Sequence, residues 1–337
     1  MKKRGIGVGC MYYGLGYGYS RPDFASATIE ICQDGSVIVR TGQVDYGQGS
    51  DAIFCQIAAE ELGVKYENVT IIAADTATTP DSGPTSASRL VYVGGNAVIK
   101  ACAALKKTLQ AVARALLEAE KEEDVVMARN EVYDRNRPEN KISFARLAMA
   151  CHQRGVQIVE TGWYDNMTPD VDPETGQGDA YAAYCWAAQL AEVEVDTDTG
   201  QVEVLRLIAA HDVGKAINPC AVEGQIEGGV VMGLGYALTE EVKSAGGYIK
   251  TRTLGEYTVP TSLDVPEIEP HIVEVPTPGG PYGAKGLGEP ALIPTAPAVI
   301  NAICNALEVQ ITDMPANLEN VFRVMQARDR TGRGREI

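Results

Sequence analysis

The sequence predicts an α+β protein of two lobes, with mixed sheets and packed helices. Three observations predict it. At 337 residues the chain is longer than one hydrophobic core usually serves. Two separate stretches read as long β-hairpins. Between and after them lie segments with helical periodicity.

The first hairpin is residues 27–40, ATIEICQDGSVIVR, which alternate apolar and polar positions around Asp34-Gly35. A glycine-rich break, TGQVDYGQGS, then opens onto a helix in which Ile53, Ile57, Ala58 and Leu62 share a face, with Gly63 as its stop. ENVTIIAAD reads as a strand. Val98, Ala101, Cys102, Leu105, Leu109, Val112 and Leu116 then mark a helix from near Gly95 to about Ala119, with a solvated end at 120–124. Ser143 caps a short helix through residue 150. We place the first lobe at 1–155 and the second at 156–337. The second hairpin turns at Asp198-Thr199-Gly200, so the lobes are expected to echo each other.

After Asn218-Pro219 a glycine-rich apolar segment to Leu238 reads as a helix. Interior glycines cost helix stability, which implies a close neighbour or ligand. Five prolines from Pro260 to Pro278 punctuate an extended stretch ending in PGGPYGAKGLGEPA, and a helix follows near Thr295-Ala296-Pro297. A last helix is expected at 316–327, followed by a basic terminal tail, ARDRTGRGREI.

A formal net charge of −16 argues against nucleic acid as a partner, since phosphate neutralisation needs clustered Lys and Arg. Eight dispersed cysteines form no CxxC pair, and His152, His211 and His271 form no HExxH-type pair, so no protein-borne metal site is expected. GIGVGCMYYGLGYGYS is too glycine-rich for a signal peptide, and no run of 18 apolar residues occurs; we expect a cytoplasmic location without a membrane.

Several loops combine glycine with uncharged hydrogen-bonding side chains: Gly47-Gln48-Gly49-Ser50, Thr85 to Ser88 with Gly94-Gly95, Gly224-Gln225, and Gly283 to Glu289. A turn is the plain reading of each one alone. Together they suit a polar, planar, partly anionic cofactor, because glycine admits close backbone approach and helix-start N–H groups favour phosphate. Neither GxGxxG after a strand nor GxxxxGK[ST] is present. Glu289, between Gly288 and Pro290, is the one acid in its stretch, and burial would move it towards the range of a general base, although a surface glutamate is the plainer reading. Tyr12, Tyr13, Tyr17 and Tyr19 form an aromatic cluster fit either for packing or for a flat substrate.

The segments VDYGQGSD, GPTSASRLVYVGGNAV, AEVEVDTDTGQVEVLRLIAAHDVGKAINP, VEGQIEGGVVMGLGYAL and TPGGPYGAKGLGEPALIPTAPAVINAI, in this order, resemble the second half of the molybdopterin-binding subunit of the xanthine dehydrogenase and aldehyde oxidase family. The resemblance spans residues 4 to 327 and implies the two-lobed molybdopterin-binding fold of the molybdenum hydroxylases. It implies that Glu289 is the catalytic base, and that Gly47, Gln48, Gly49, Ser86, Ala87, Ser88, Gln225, Gly286, Leu287 and Gly288 hold a molybdopterin dinucleotide, with cytosine as the expected base. Tyr13, more than Tyr17, falls where the family places an aromatic against substrate. The metal is held by the pterin dithiolene; oxygen, sulfur or selenium as its terminal ligand stays open. Implied partners are a large molybdopterin subunit supplying the missing first half, an iron–sulfur subunit and an FAD subunit passing electrons to NADP. The implied reaction hydroxylates an electron-poor carbon of an N-heteroaromatic substrate with water, nicotinate to 6-hydroxynicotinate being the expected case. A purine or an aldehyde as substrate, and a non-catalytic cofactor-holding role, are the alternatives.

Overall fold

The computed structural model describes residues 1–168 and 170–331, the last three of them by backbone only. In chain order the elements are β1 (Lys2–Gly14), β2 (Phe24–Ile31), β3 (Val37–Thr41), α1 (Ser50–Leu62), β4 (Val69–Ala73), α2 (Gly95–Leu117), β5 (Val125–Ala128), β6 (Glu131–Asp134), β7 (Arg137–Ser143), α3 (Phe144–Gln153) and β8 (Val159–Asp165). They continue as β9 (Tyr184–Asp196), β10 (Val202–Asp212), α4 (Pro219–Leu238), β11 (Ser244–Ala245), β12 (Tyr248–Ile249), β13 (Glu267–Val273), α5 (Thr295–Leu307) and α6 (Leu318–Thr331). The α+β class with mixed sheets and packed helices is as expected.

Two compact units form, but not by division at 155/156. One contains residues 1–13, 184–275 and 287–337, the other residues 14–183 and 276–286. The reason is strand pairing. β1 joins the sheet of β9, and β8, which follows residue 155, pairs along β2 from Phe24↔Asp165 to Glu30↔Val159.

In the unit holding residues 14–183, the sheet order is β4-β3-β2-β8. The expected hairpin pairs β2 with β3 antiparallel, and β4 joins β3 in parallel after the α1 crossover. Gly63 closes α1 in a left-handed conformation, φ 67°, and donates to Glu60 O at 3.3 Å. Ile29, Val37 and Val39 of the sheet and Ile57, Leu62, Val98, Leu105 and Leu109 of the helices are fully or almost fully buried, so the core lies between sheet and helices. α2 ends at Leu117, with Glu118 left-handed; residues 122–124 form a separate short turn rather than a solvated helix end. Ser143 does cap α3, accepting from the Arg146 N–H at 3.2 Å.

The other unit repeats this plan. Its sheet order is β1-β9-β10-β13, with β9 and β10 antiparallel and β10 and β13 parallel. Ala191, Val193, Val195 and Leu207 pack on Ile226, Val230 and Leu234 of α4, Val299 and Ile303 of α5, and Val321 of α6. The echo extends to how an edge strand meets a helix. A Cβ on Gly162 of β8 would come within 2.1 Å of the Ala97 carbonyl oxygen of α2, and one on Gly7 of β1 within 2.1 Å of Ala302 N of α5. The glycines on β1 at residues 5, 7 and 9 are therefore its packed face, which was not expected to be a strand.

α4 starts at Pro219 with Asn218 as its cap, accepting from the Ala221 N–H at 3.1 Å. The last helix runs to Thr331, further than expected, and takes in the start of the basic tail; residues 332–337 of that tail lie outside the described residues. Among the described residues no helix is long and apolar enough to cross a membrane.

Candidate functional site

The unit of residues 14–183 and 276–286 brings three of the expected loops together. Val44 N–H donates to Thr85 Oγ1 at 2.8 Å, tying the Gly47–Gly49 loop to the Thr85–Ser88 loop. Gly286 lies so close to Ser88 that a Cβ there would overlap the Ser88 carbonyl oxygen, which only glycine allows. Tyr17 hydrogen-bonds the Ser86 hydroxyl, and Gly16 N–H donates to the Ala87 carbonyl at 2.9 Å.

Ala87 and Ser88 are both left-handed, at φ 52° and 50°, a conformation that costs L-residues energy and persists only where surroundings impose it. Arg89 imposes it. Its side chain is 1% exposed and meets the fully buried Asp23 at 2.5 Å; it also donates to the carbonyls of Ser82, Pro84 and Phe24. Asp23 is completed by Tyr17 N–H at 3.1 Å and Asn166 Nδ2 at 3.2 Å. The sequence reading singled out neither partner, since their meeting depends on residues 66 positions apart.

The Gly47–Gly49 loop differs in detail from expectation. Backbone N–H groups where α1 starts were expected to serve an anion, but Asp45 already accepts from those of Gly47 (2.8 Å), Gly49 (3.3 Å) and Asp51 (3.2 Å). Against the penalty of burial, these bonds hold the Asp45 carboxyl below its usual range. Burial, with Asp45 nearby, pushes Asp51 the other way. Gln48 spends its amide within the loop, on Val44 O, Ser50 Oγ and Tyr46 N–H. What the loop presents outward is glycine backbone: no heavy atom lies within 4 Å of where a Cβ on Gly47 or Gly49 would stand.

The remaining expected residues belong to the other unit; the chain crosses between units at Gly286-Leu287. There Glu289 is exposed rather than buried, with exposed Gly288 before it and buried Pro290 after it, at the start of a turn closed by Leu292 N–H to the Glu289 carbonyl at 3.1 Å. Tyr13, half-buried at the end of β1, donates its hydroxyl to Glu289 Oε2 at 2.7 Å. Tyr12 instead stacks with Tyr184 and Trp186 at 4.6 and 4.3 Å.

Four of the five glycines of α4 divide into two groups, the fifth, Gly235, packing against Glu240 and Pro260. Gly229 and Gly233 admit Ala291 and Thr295 against the helix, whereas Gly224 and Gly228 face open space beside Val265 and Pro266. Gln225 stands one turn before Gly229 and so on the face turned towards the Glu289 segment. His211, His152 and His271 do not cluster; among the described residues no group of three His, Cys, Asp or Glu could hold a metal ion.

These residues fit a pterin held by backbone and hydroxyl groups. The loops leave open glycine faces at Gly47 and Gly49, and hydroxyl side chains at Ser86, already bonded to Tyr17, and Ser88 lie on the neighbouring loop. Such a cofactor brings its own metal ligands.

A family model described as molybdopterin cofactor-binding domain matches residues 1–266. The chain belongs to this family. Among relatives of the domain, the xanthine dehydrogenase molybdenum-binding subunit of Escherichia coli O157:H7 is 31% identical over 328 residues, 95% of this chain and 42% of that protein. The 6-hydroxypseudooxynicotine dehydrogenase complex subunit gamma of Paenarthrobacter nicotinovorans is 30% identical over 336 residues, 98% and 41% of the two chains. The crystal structure of quinoline 2-oxidoreductase from Pseudomonas putida 86 superposes with a TM-score of 0.85 at 32% identity, covering 96% of this chain and 42% of that one. The domain thus spans about two-fifths of the length of these relatives.

Proposed function

We propose that the domain is one half of the molybdopterin-carrying catalytic part of a molybdenum hydroxylase, similar to the medium subunit of nicotinate dehydrogenase, with Glu289 as general base. The observation that carries this reading is the exposed Glu289 carboxylate held by the Tyr13 hydroxyl at 2.7 Å. A base must be both accessible and fixed in direction. Gly47, Gln48, Gly49, Ser86, Ala87, Ser88, Gln225, Gly286, Leu287 and Gly288 would hold the pterin dinucleotide, with cytosine as its base. Gln48 does so by shaping its loop. When bound, the cofactor supplies Lewis acidity and two-electron acceptance.

The substrate is an N-heteroaromatic, nicotinate, which gains oxygen from water and becomes 6-hydroxynicotinate; its two electrons pass through iron–sulfur and FAD subunits to NADP. Tyr13 faces the flat substrate on this reading, as well as holding Glu289. The part of the relatives that this chain lacks would come from a large molybdopterin subunit. Leu263, Leu254, Tyr248, Val242 and Met232, all at least 60% exposed, are the kind of surface a partner chain covers. A reducing, cytoplasmic setting suits eight free thiols.

Glu289→Gln in the purified complex tests the reading. Turnover should fall by a factor of about 10² to 10⁴ with molybdenum content unchanged. Undiminished turnover would make Glu289 a loop residue and leave the domain a cofactor holder. Relatives named for xanthine and aldehydes favour a second substrate reading; hypoxanthine or an aldehyde outpacing nicotinate in the same assay would establish it.

A further inference from the structure

We propose that Gln189 is a positioning residue for Glu289: its amide, clamped by Thr295 and His211, fixes the turn from which the Glu289 carboxylate projects. This rests on the reading of Glu289 as the base.

Gln189 is a polar interruption in the apolar inward face of β9, between Ala187 and Ala191, and is 1% exposed. A buried amide in such a place is stable only when its groups are bonded. Its Nε2 donates to the Ala291 carbonyl at 2.9 Å and to His211 Nε2 at 3.0 Å, while its Oε1 accepts from the Thr295 hydroxyl at 2.7 Å. The orientation is forced, because a carbonyl can only accept: a flipped amide would set oxygen against the Ala291 oxygen. His211 Nε2 must then be an acceptor, which makes the imidazole neutral with its proton on Nδ1. Burial of this ring favours that neutral form.

Ala291 lies two residues beyond Glu289, inside the turn closed by Leu292 N–H to Glu289 O and followed by Thr295 N–H to Leu292 O at 3.2 Å. Gln189 therefore grips the turn from the core while Tyr13 holds the carboxylate at the surface. His211 leaves Nδ1 buried without a partner. A core built for stability alone would place an apolar residue there, so what retains the ring is the acceptor it offers Gln189.

The test is Gln189→Met, similar in volume but unable to bond, alongside Thr295→Val, Thr295→Ser and Glu289→Gln, all in the assembled enzyme. Amide hydrogen exchange of residues 288–294 should quicken about tenfold or more in Gln189→Met and Thr295→Val. In those two variants kcat for nicotinate should fall roughly ten- to a hundredfold, with KM within twofold and molybdenum content unchanged. Thr295→Ser, which keeps the hydroxyl, should behave as the parent. Unchanged exchange in Gln189→Met refutes the anchor. Quickened exchange with full kcat refutes its positioning role. Full turnover in Glu289→Gln sinks the underlying reading instead, a result recognisable apart from either. If Gln189→Met fails to fold, Thr295→Val probes the same clamp.

Discussion

Removing the charge of Arg89 while keeping its bulk, Arg89→Met, should cost the unit of residues 14–183 about 3–5 kcal/mol, because it leaves the Asp23 carboxylate unneutralised where neither side chain exceeds 1% exposure. The upper end is favoured, since the Ser82, Pro84 and Phe24 carbonyls lose a donor together. For a unit of about 180 residues, each kcal/mol moves the melting temperature by about 2–4 °C, so a fall of about 6–20 °C follows. The chain has two tryptophans, Trp163 and Trp186. In a Trp186→Phe background, Trp163, stacked on Phe24 at 4.4 Å, reports on this unit by fluorescence. Asp23→Asn added to Arg89→Met should recover part of the loss, because no unpaired charge is then buried. A single variant melting within about 2 °C of the parent, or a double variant with the two losses summed, would refute the argument. On the proposed reading, in which the loop next to this pair holds the cofactor, molybdenum content should fall with stability.

Gly7→Ala places a methyl 2.1 Å from Ala302 N and 2.3 Å from the Ala298 carbonyl oxygen, both helix backbone that cannot yield cheaply. It should destabilise by about 1–3 kcal/mol or more in a denaturant titration. Ile6→Ala, on the exposed side of the same strand, should cost much less. Burial lowers the His211 pKa to about 4, against about 6.5 in the unfolded chain. The unfolded chain therefore takes up a proton below pH 6.5 that the folded chain refuses until about pH 4. Stability falls across that window by about 3 kcal/mol in all, and His211→Phe should flatten this part of the stability profile measured between pH 7 and 4.5.

Both hairpins, α1, α2 and α4 were legible because alternation and helical spacing are local signals. β1 was not. Three of its four buried positions are glycine, which reads as a loop until one sees that α5 lies directly on the strand. The last helix was placed too short because the basic tail reads as solvent-facing whether helical or not. The unit boundary was missed for a related reason: pairing of β1 with β9 and of β2 with β8 is a choice between partners far apart in sequence, which no window of residues contains. At the site, glycine loops and Glu289 stood out by composition. Arg89, Asp23 and Gln189 did not, because each acts through a partner brought in by the fold.

The interleaving of the two units also sets an order of events during synthesis. Residues 14–183 leave the ribosome as a nearly complete body, needing only the short piece 276–286 to finish. β1 emerges before them and stays without its neighbour until β9, starting at Tyr184, has been made. During that interval a thirteen-residue strand with Ile6, Val8 and Tyr12 along one side has both edges open instead of one, the kind of element that recruits other chains. Lys2, Lys3 and Arg4 stand at its start, and a run of like charge on an open strand opposes its pairing with another copy. Neutralising those three residues should lower the yield of soluble chain, while the finished protein, losing the pairs of Lys2 and Arg4 with Glu192 and Glu194, melts only slightly lower.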